Sequence, residues 1–186
     1  MVSLFADPFV SFDTIDRDEL NECLVRWGHR MGPLNRPAYT KPIDFALRRH
    51  GKPVAVIASD TLIRDTCGFD RSAAFELSRL CGPEHGMCAD AMWMWRHFAY
   101  PIISHAWRTP WVISYQDATQ HKGFLYRYDN WVVIGYSVSG RDPRAQPGTA
   151  SVRRKVIWGW NADAAAMAEK RRNPPDKPKW AERIAA

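Results

Sequence analysis

Between Trp111 and Trp131 the chain reads WVISYQDATQHKGFLYRYDNW, so an apolar run leads directly into Ser114, Tyr115 and Asp117. Within fourteen more residues come His121, Lys122, Tyr126, Tyr128, Asp129 and Asn130, set among large aromatics. A plain core segment has no need of so many protonatable and hydrogen-bonding groups. Polar side chains at the carboxyl end of a strand, followed by a short helix, are how many α/β enzymes place acid and base groups at an opening in a sheet. Each has a structural alternative. Asp117 can cap the helix that follows, Tyr126 can pack with its hydroxyl satisfied, and Ser114 can fill a strand face. Asn130 and Trp131 read as the close of the short helix and the start of the next strand.

A second segment complements the first. Phe75 to Cys81 (FELSRLC) alternates as a strand and runs into Gly82-Pro83-Glu84-His85-Gly86-Met87-Cys88-Ala89, after which helical spacing resumes. A strand that opens through glycine-containing turns into a helix presents free backbone amides to an anion such as a pyrophosphate. Gly86, Cys88 and Ala89 are small enough to admit one, and Arg79 or His85 could add charge. Neither GxGxxG nor GxxxxGKS is present, so an ordinary strand-to-helix turn explains the same residues.

Other elements must hold these two segments. Asp16 and Glu19 form a capping-box-like start to a helix through Leu20, Cys23, Leu24 and Trp27, ending near Gly28. HRMGPLNRPAY is then a loop exposing His29, Arg30 and Tyr39. Ile43 to Leu47 and Val54 to Ile57 read as a hairpin, residues 59 to 73 as a polar connection. The helix carrying Met92, Trp95, Phe98 and Ala99 is expected to be interrupted at Pro101, and residues 119 to 129 to form a short helix. Strands at Trp131 to Val138 and Val152 to Trp160 flank the loop RDPRAQPGTA. A helix near 162 to 172 leads into NPPDKPK, whose composition fits a segment without fixed structure.

At 186 residues the chain suits one α+β unit, here taken as residues 1–160, with a basic extension over 161–186. Four cysteines without CxxC spacing and an opening without a secretory pattern point to reduced thiols and a cytoplasmic location. No stretch approaches the roughly 20 apolar residues of a membrane span. Residues 1–140 hold 15 Lys/Arg and 15 Asp/Glu, whereas residues 141–186 hold 11 and 5, so the whole excess lies in the last quarter. Basic groups interleaved with Trp158, Trp160 and Trp180 suit phosphate contact with base stacking, though a solvated basic tail explains the same composition.

The element order resembles that of the GNAT acyltransferases, a central mixed sheet flanked by helices. Those enzymes carry a Q/R-x-x-G-x-G/A loop after the fourth strand, from which His85-Gly86-Met87-Cys88-Ala89 departs. The resemblance implies an acetyl-CoA or related acyl-CoA donor held by Leu80, Cys81, His85, Gly86, Met87, Cys88 and Ala89.

A sharper resemblance comes from ELSRL at 76 to 80, then SYQD, HKGFLY, NW and GYS, which in this order look like the Mom family of phage DNA-modification proteins within the GNAT superfamily. Gln116 stands where a small residue is usual, and the interval from Asp117 to Tyr126 is one residue shorter. The resemblance implies transfer of a methylcarbamoyl or acetamido group to the exocyclic amine of adenine in phage DNA, shielding it from host restriction. An adenine amine is a poor nucleophile, so a base must take its proton, and Asp117 is the candidate. Tyr126 is the candidate donor to the thiolate leaving group. Ser114 would bind the acyl oxygen or orient Asp117, and His29 is an alternative base. Double-stranded DNA would be held by Arg141, Arg144, Arg153, Arg154 and Lys155, with no metal, no membrane partner, and in the host cytoplasm if phage-encoded. A homodimer is left open. Two other readings stay open: a GNAT N-acetyltransferase for another amine, in a small molecule, a protein or a hypermodified base, and a nucleic-acid binder without catalysis.

Overall fold

A computed structural model describes residues 10–141 and 152–182. Seven strands form one mixed sheet: β1 (Val10–Ile15), β2 (Pro42–Arg49), β3 (Lys52–Thr61), β4 (Ala74–Cys81), β5 (Trp111–Asp117), β6 (Val132–Arg141) and β7 (Val152–Trp160). Their spatial order is β1-β2-β3-β4-β5-β7-β6, and every neighbouring pair is antiparallel except β4 and β5. The expected α+β mixed sheet flanked by helices is what forms.

Helices cover both faces, which is why β2 to β4 are buried as nearly continuous runs. On one side α1 (Arg17–Arg26) and the loop after it set Leu20, Cys23, Leu24 and Leu34 against Ala46, Val56, Ala58 and Cys81. On the other, α2 (His85–Met94) and α3 (Tyr100–Trp107) set Met92, Trp95, Ala99 and Ile103 against Phe45, Ile57, Phe75 and Leu77. The large Trp95 is fully buried, and its indole N–H donates to Ser59 Oγ at 3.0 Å, leaving no orphan donor.

The hairpin of β2 and β3 is as expected, although β3 runs on to Thr61 and shortens the connection. Asp16 caps α1 by accepting from the Glu19 amide at 2.7 Å, while the Glu19 carboxylate turns to Arg48 instead of closing a full capping box. Pro101 does not end its helix. A π-helical turn, Trp95–Ala99, lies between α2 and α3, the Tyr100 amide reaches back five residues to Trp95, and Pro101 falls in the first turn of α3. There its missing N–H removes no bond. The short helix α4 is only Phe124–Tyr128, because Asp117 and Thr119 make a side-chain turn before it.

One strand carries little signal in the sequence. Val10–Ile15 alternates weakly, pairs with β2 and stacks Phe12 on Phe45 with centroids 5.3 Å apart. After β7, helix α5 (Ala164–Arg172) buries Met167 in the main core. The Pro-rich stretch following it leads to α6 (Lys179–Glu182), where Trp180 meets Tyr136 edge-on at 5.7 Å and Ala181 is buried. Part of the basic surplus serves these contacts: Arg171 donates to the Asn130 carbonyl at 3.1 Å, and the Lys170 ammonium lies 5.0 Å from the Phe69 ring. Among the described residues no helix is long and apolar enough to cross a membrane.

Candidate active site where two strands part

The parallel ladder between β4 and β5 joins only Ala74–Leu77 to Trp111–Ser114. Beyond it β4 stays with β3 as far as Cys81, and β5 stays with β7 as far as Asp117, so the two strands diverge and leave facing backbone edges. A bulge helps open this fork. The pairing of β3 with β4 skips Ser78, whose hydroxyl instead donates to Asp60 at 2.6 Å, and an extra residue on one strand bends it away from its neighbour.

Ser114 closes the base of the fork. Its hydroxyl donates to the Leu77 carbonyl at 2.9 Å and lies 2.8 Å from the Tyr126 hydroxyl, so the phenol is left to donate to Ser114. Burial, partly offset by this hydrogen bond, raises Tyr126 above the usual tyrosine range and keeps it protonated at neutral pH. Its ring stacks on Trp158 at 5.3 Å and meets Trp131 edge-on at 5.4 Å. Gln116 locks the assembly: it accepts from the Trp158 indole at 2.7 Å and donates to the His121 carbonyl at 2.5 Å. The chain must turn over this amide at Gly123, where φ is +75° and an added Cβ would lie 2.4 Å from Gln116 Oε1. Gln116, the departure from the Mom-like pattern, is therefore a structural keystone. Asn130 (φ +63°) ends α4, and Asp129 ties it to Arg96 at 2.8 Å and to the Trp131 indole at 2.9 Å, in line with the structural reading of that pair.

Alternation along β5 sends Tyr115 and Asp117 to the α1 face, opposite Ser114 and Tyr126. Asp117 accepts from Arg30 at 2.8 Å and from the Thr119 amide and hydroxyl at 3.0 and 2.6 Å. It thereby fastens the loop after α1 to the end of β5. His29 is held in that loop, its Nδ1 accepting the Met31 amide at 3.2 Å. Glu76, which sequence type alone does not single out, sits on the same face, paired with Arg36 at 2.8 Å, and its charge bears on Tyr115, Tyr126 and Lys155. Its place in ELSRL is a signal that could have raised it. Deeper on this face Arg17 spans Asp44 at 2.6 Å and Asp60 at 3.0 Å. Burial, opposed chiefly by Arg17, raises Asp44 to about 6.

The expected donor loop forms the head of α2. Nothing lies within 4 Å of a Cβ placed on Gly86, so a phosphate could meet that backbone. With the facing edge of Arg79–Cys81 this fits an acyl-CoA: amides and carbonyls of the fork for its amide-bearing arm, the head of α2 for its diphosphate. Leu80 packs partly into the core, and burial raises the Cys81 and Cys88 thiols to about 11, so both stay as thiols and Cys81 offers backbone rather than sulfur. The His85 side chain lies outside the described residues.

Of the expected DNA-binding set, the three described members do not share one face. Strand alternation turns Arg153 and Lys155 to the α1 face and Arg154 to the other. Arg153 is buried, only 8% exposed, with Nη1 3.0 Å from the Met31 sulfur. Arg144 and the Arg141 side chain lie outside the described residues.

No family model and no curated protein sequence matches this chain. Solved structures do. An N-acetyltransferase from Staphylococcus aureus Mu50 superposes with a TM-score of 0.58 at 9% identity, over 83% of this chain and 99% of that one. The aminoglycoside 6'-N-acetyltransferase from Enterococcus faecium gives 0.54 at 10% identity, over 81% and 96%. An IAA acetyltransferase from Bacillus cereus gives 0.52 at 10%, over 82% and 99%. At such identities the likeness is one of fold, and that fold is the GNAT acetyltransferase fold.

Proposed function

We propose that this chain is an acyltransferase that moves a small acyl group from an acyl-CoA to an amine, and that the amine is the exocyclic nitrogen of adenine in DNA, as in the Mom-like proteins its 76–137 segment resembles. The observation that carries the reading is the Tyr126 hydroxyl, linked through Ser114 to Leu77 at the base of the fork. The donor, bound by the fork edges and the head of α2, supplies an activated carbonyl and a thiolate leaving group. Tyr126 holds the proton that the leaving group needs, and rotation of one O–H bond takes it from Ser114 into the fork. The acceptor approaches from the opposite, α1 face.

On that face Asp117 receives the amine proton. Its carboxylate already accepts from Arg30 and from the Thr119 amide and hydroxyl, and it takes the proton after the amine has added to the carbonyl, when that nitrogen has become strongly acidic. Glu76 lies on the same face but is paired with Arg36. Duplex DNA must deliver the adenine extruded or unpaired. Lys155, on the α1 face opposite Asp117 at the end of β5, supports a polyanionic partner, as does the residue pattern.

The test is mass spectrometry of nucleosides from DNA of cells expressing the chain. A modified adenosine is expected, lost with Asp117→Asn and retained with Glu76→Gln. Unmodified adenine alongside folded protein that binds acetyl-CoA by calorimetry would refute the DNA acceptor, and absence of donor binding would refute acyl transfer altogether. Loss with Glu76→Gln but not Asp117→Asn would move the base to Glu76.

A further inference from the structure

Four segments distant in sequence meet on the α1 face beside the fork. The loop after α1 brings Arg30 and Met31, the connection from β3 to β4 brings Arg64 and Thr66, β5 brings Tyr115 and Asp117, and β7 brings Arg153 and Lys155. The contacts are direct. Tyr115 lies with its hydroxyl 3.0 Å from Thr66 Oγ1, the Lys155 ammonium stands 5.5 Å from the Tyr115 ring, Arg153 rests on the Met31 sulfur, and Arg30 pairs with Asp117. Lys155 is opposite Asp117 in the ladder, at the end of β5.

The charges here do not balance. Arg30, Arg36, Arg64, Arg153 and Lys155 lie on this face with three carboxylates, Asp117, Glu76 and Asp60, which are already paired with Arg30 and Arg36. Among the described residues no carboxylate comes within ion-pair distance of Lys155 or Arg64. Lys155 is half-buried, and burial first, then repulsion from Arg153, hold it below the usual lysine range, with Arg64 adding to the effect. A half-buried cation crowded by other cations is costly until an anion joins it. Such an arrangement, next to a proposed reaction centre, marks a ligand site rather than a device for stability.

We propose that Lys155 and Arg64 form a phosphate subsite on the acceptor side of the fork, binding a phosphoryl group of the acceptor beside the amine to be modified. The inference rests on the reading of the α1 face as the acceptor side. The donor's own phosphates belong at the head of α2, on the other face of the sheet. An ammonium and a guanidinium together match a phosphate, the guanidinium offering two parallel N–H donors. The phosphate can come from a DNA strand or from a free nucleotide, and the test separates them.

The probes are a labelled single-stranded oligodeoxynucleotide, followed by fluorescence anisotropy, and adenosine 5'-monophosphate, followed by calorimetry. Lys155→Met and Arg64→Ala should each weaken oligonucleotide binding about tenfold and lower the slope of log affinity against log salt by about 0.7. Lys155→Arg should keep most of the affinity. Arg154→Ala, one residue away on the opposite face, should cost less than about twofold. Unchanged acetyl-CoA affinity and thermal melting show that the variants fold. If the oligonucleotide binds and neither Lys155→Met nor Arg64→Ala matters, or Arg154→Ala matters as much, the subsite is refuted while DNA binding stands. If only the mononucleotide binds, with the same sensitivity, the subsite stands and the DNA acceptor fails. If neither probe binds, both are refuted.

Discussion

Gly123→Ala probes the support of the candidate acid without presupposing any reaction. Gly123 has φ +75°, and a Cβ there would stand 2.4 Å from Gln116 Oε1 and 2.9 Å from a Trp158 ring carbon, contacts that real atoms do not sustain. An alanine in the left-handed region costs about 1 kcal/mol. Displacing Gln116 leaves the buried Trp158 N–H and the His121 carbonyl without their partners, which adds about 1–3 kcal/mol. The sum of about 2–4 kcal/mol corresponds to a fall in Tm of roughly 5–15 °C for a chain of this size. Gly28→Ala supplies the control, because its φ is +63° and nothing lies within 4 Å of the added methyl, so only the backbone strain remains. The assay is thermal unfolding by circular dichroism for wild type and both variants. Since Tyr126 stacks on Trp158, Gly123→Ala should also lower kcat more than it raises KM once an acceptor is in hand. Equal Tm losses in the two glycine variants would refute the role assigned to Gln116 and Gly123.

Tyr126→Phe should lower kcat by about 10²–10⁴ if the phenol is the acid, while Tm changes little, because Ser114 keeps its bond to Leu77. In the wild type, activity that depends on protonated Tyr126 should fail only above the usual tyrosine range, since burial raises this group; a pH–rate profile whose alkaline limb lies below that range would contradict the assignment. Asp44 makes a separate prediction. Burial raises it to about 6 against Arg17, so the folded state holds this proton more tightly than the unfolded chain, and the resulting stability, present below an unfolded value near 4, is lost as pH rises to 6. Relative to Asp44→Asn, the wild type should lose up to about 3 kcal/mol of unfolding free energy across that window in urea titrations; a difference independent of pH would show that the Arg17 pair dominates.

Local signals were strong where physical causes are local. The cap at Asp16, the hairpin of β2 and β3, and the bounds of β7 follow from side-chain type and period over a few residues, and the structure places them accordingly. Pro101 misled because a proline ends a regular helix, whereas a π turn just before it moved the proline to a position that needs no N–H. Val10–Ile15 was passed over because an edge strand is specified as much by its neighbour β2 as by its own alternation. The basic C-terminal quarter was visible as charge, but its composition does not distinguish Lys170 and Arg171, which serve packing and a carbonyl, from Lys155, which stands beside the fork.

The sequence by itself determined which groups are available and which of them are near neighbours: Ser114, Asp117 and Tyr126 on one strand and the short helix after it, and small residues at the head of a helix. Only the tertiary structure decided that Ser114 and Tyr126 face one side of the sheet while Asp117 faces the other, that the strands part immediately beyond Leu77, and that Arg30, Arg64 and Lys155 share one corner with Glu76 close by. The physical reason is that hydrogen-bond capacity and period belong to residues and their chain neighbours. Which edges remain unpaired, and which charges are left without a counter-ion, depends on contacts between segments that the chain brings together only by folding.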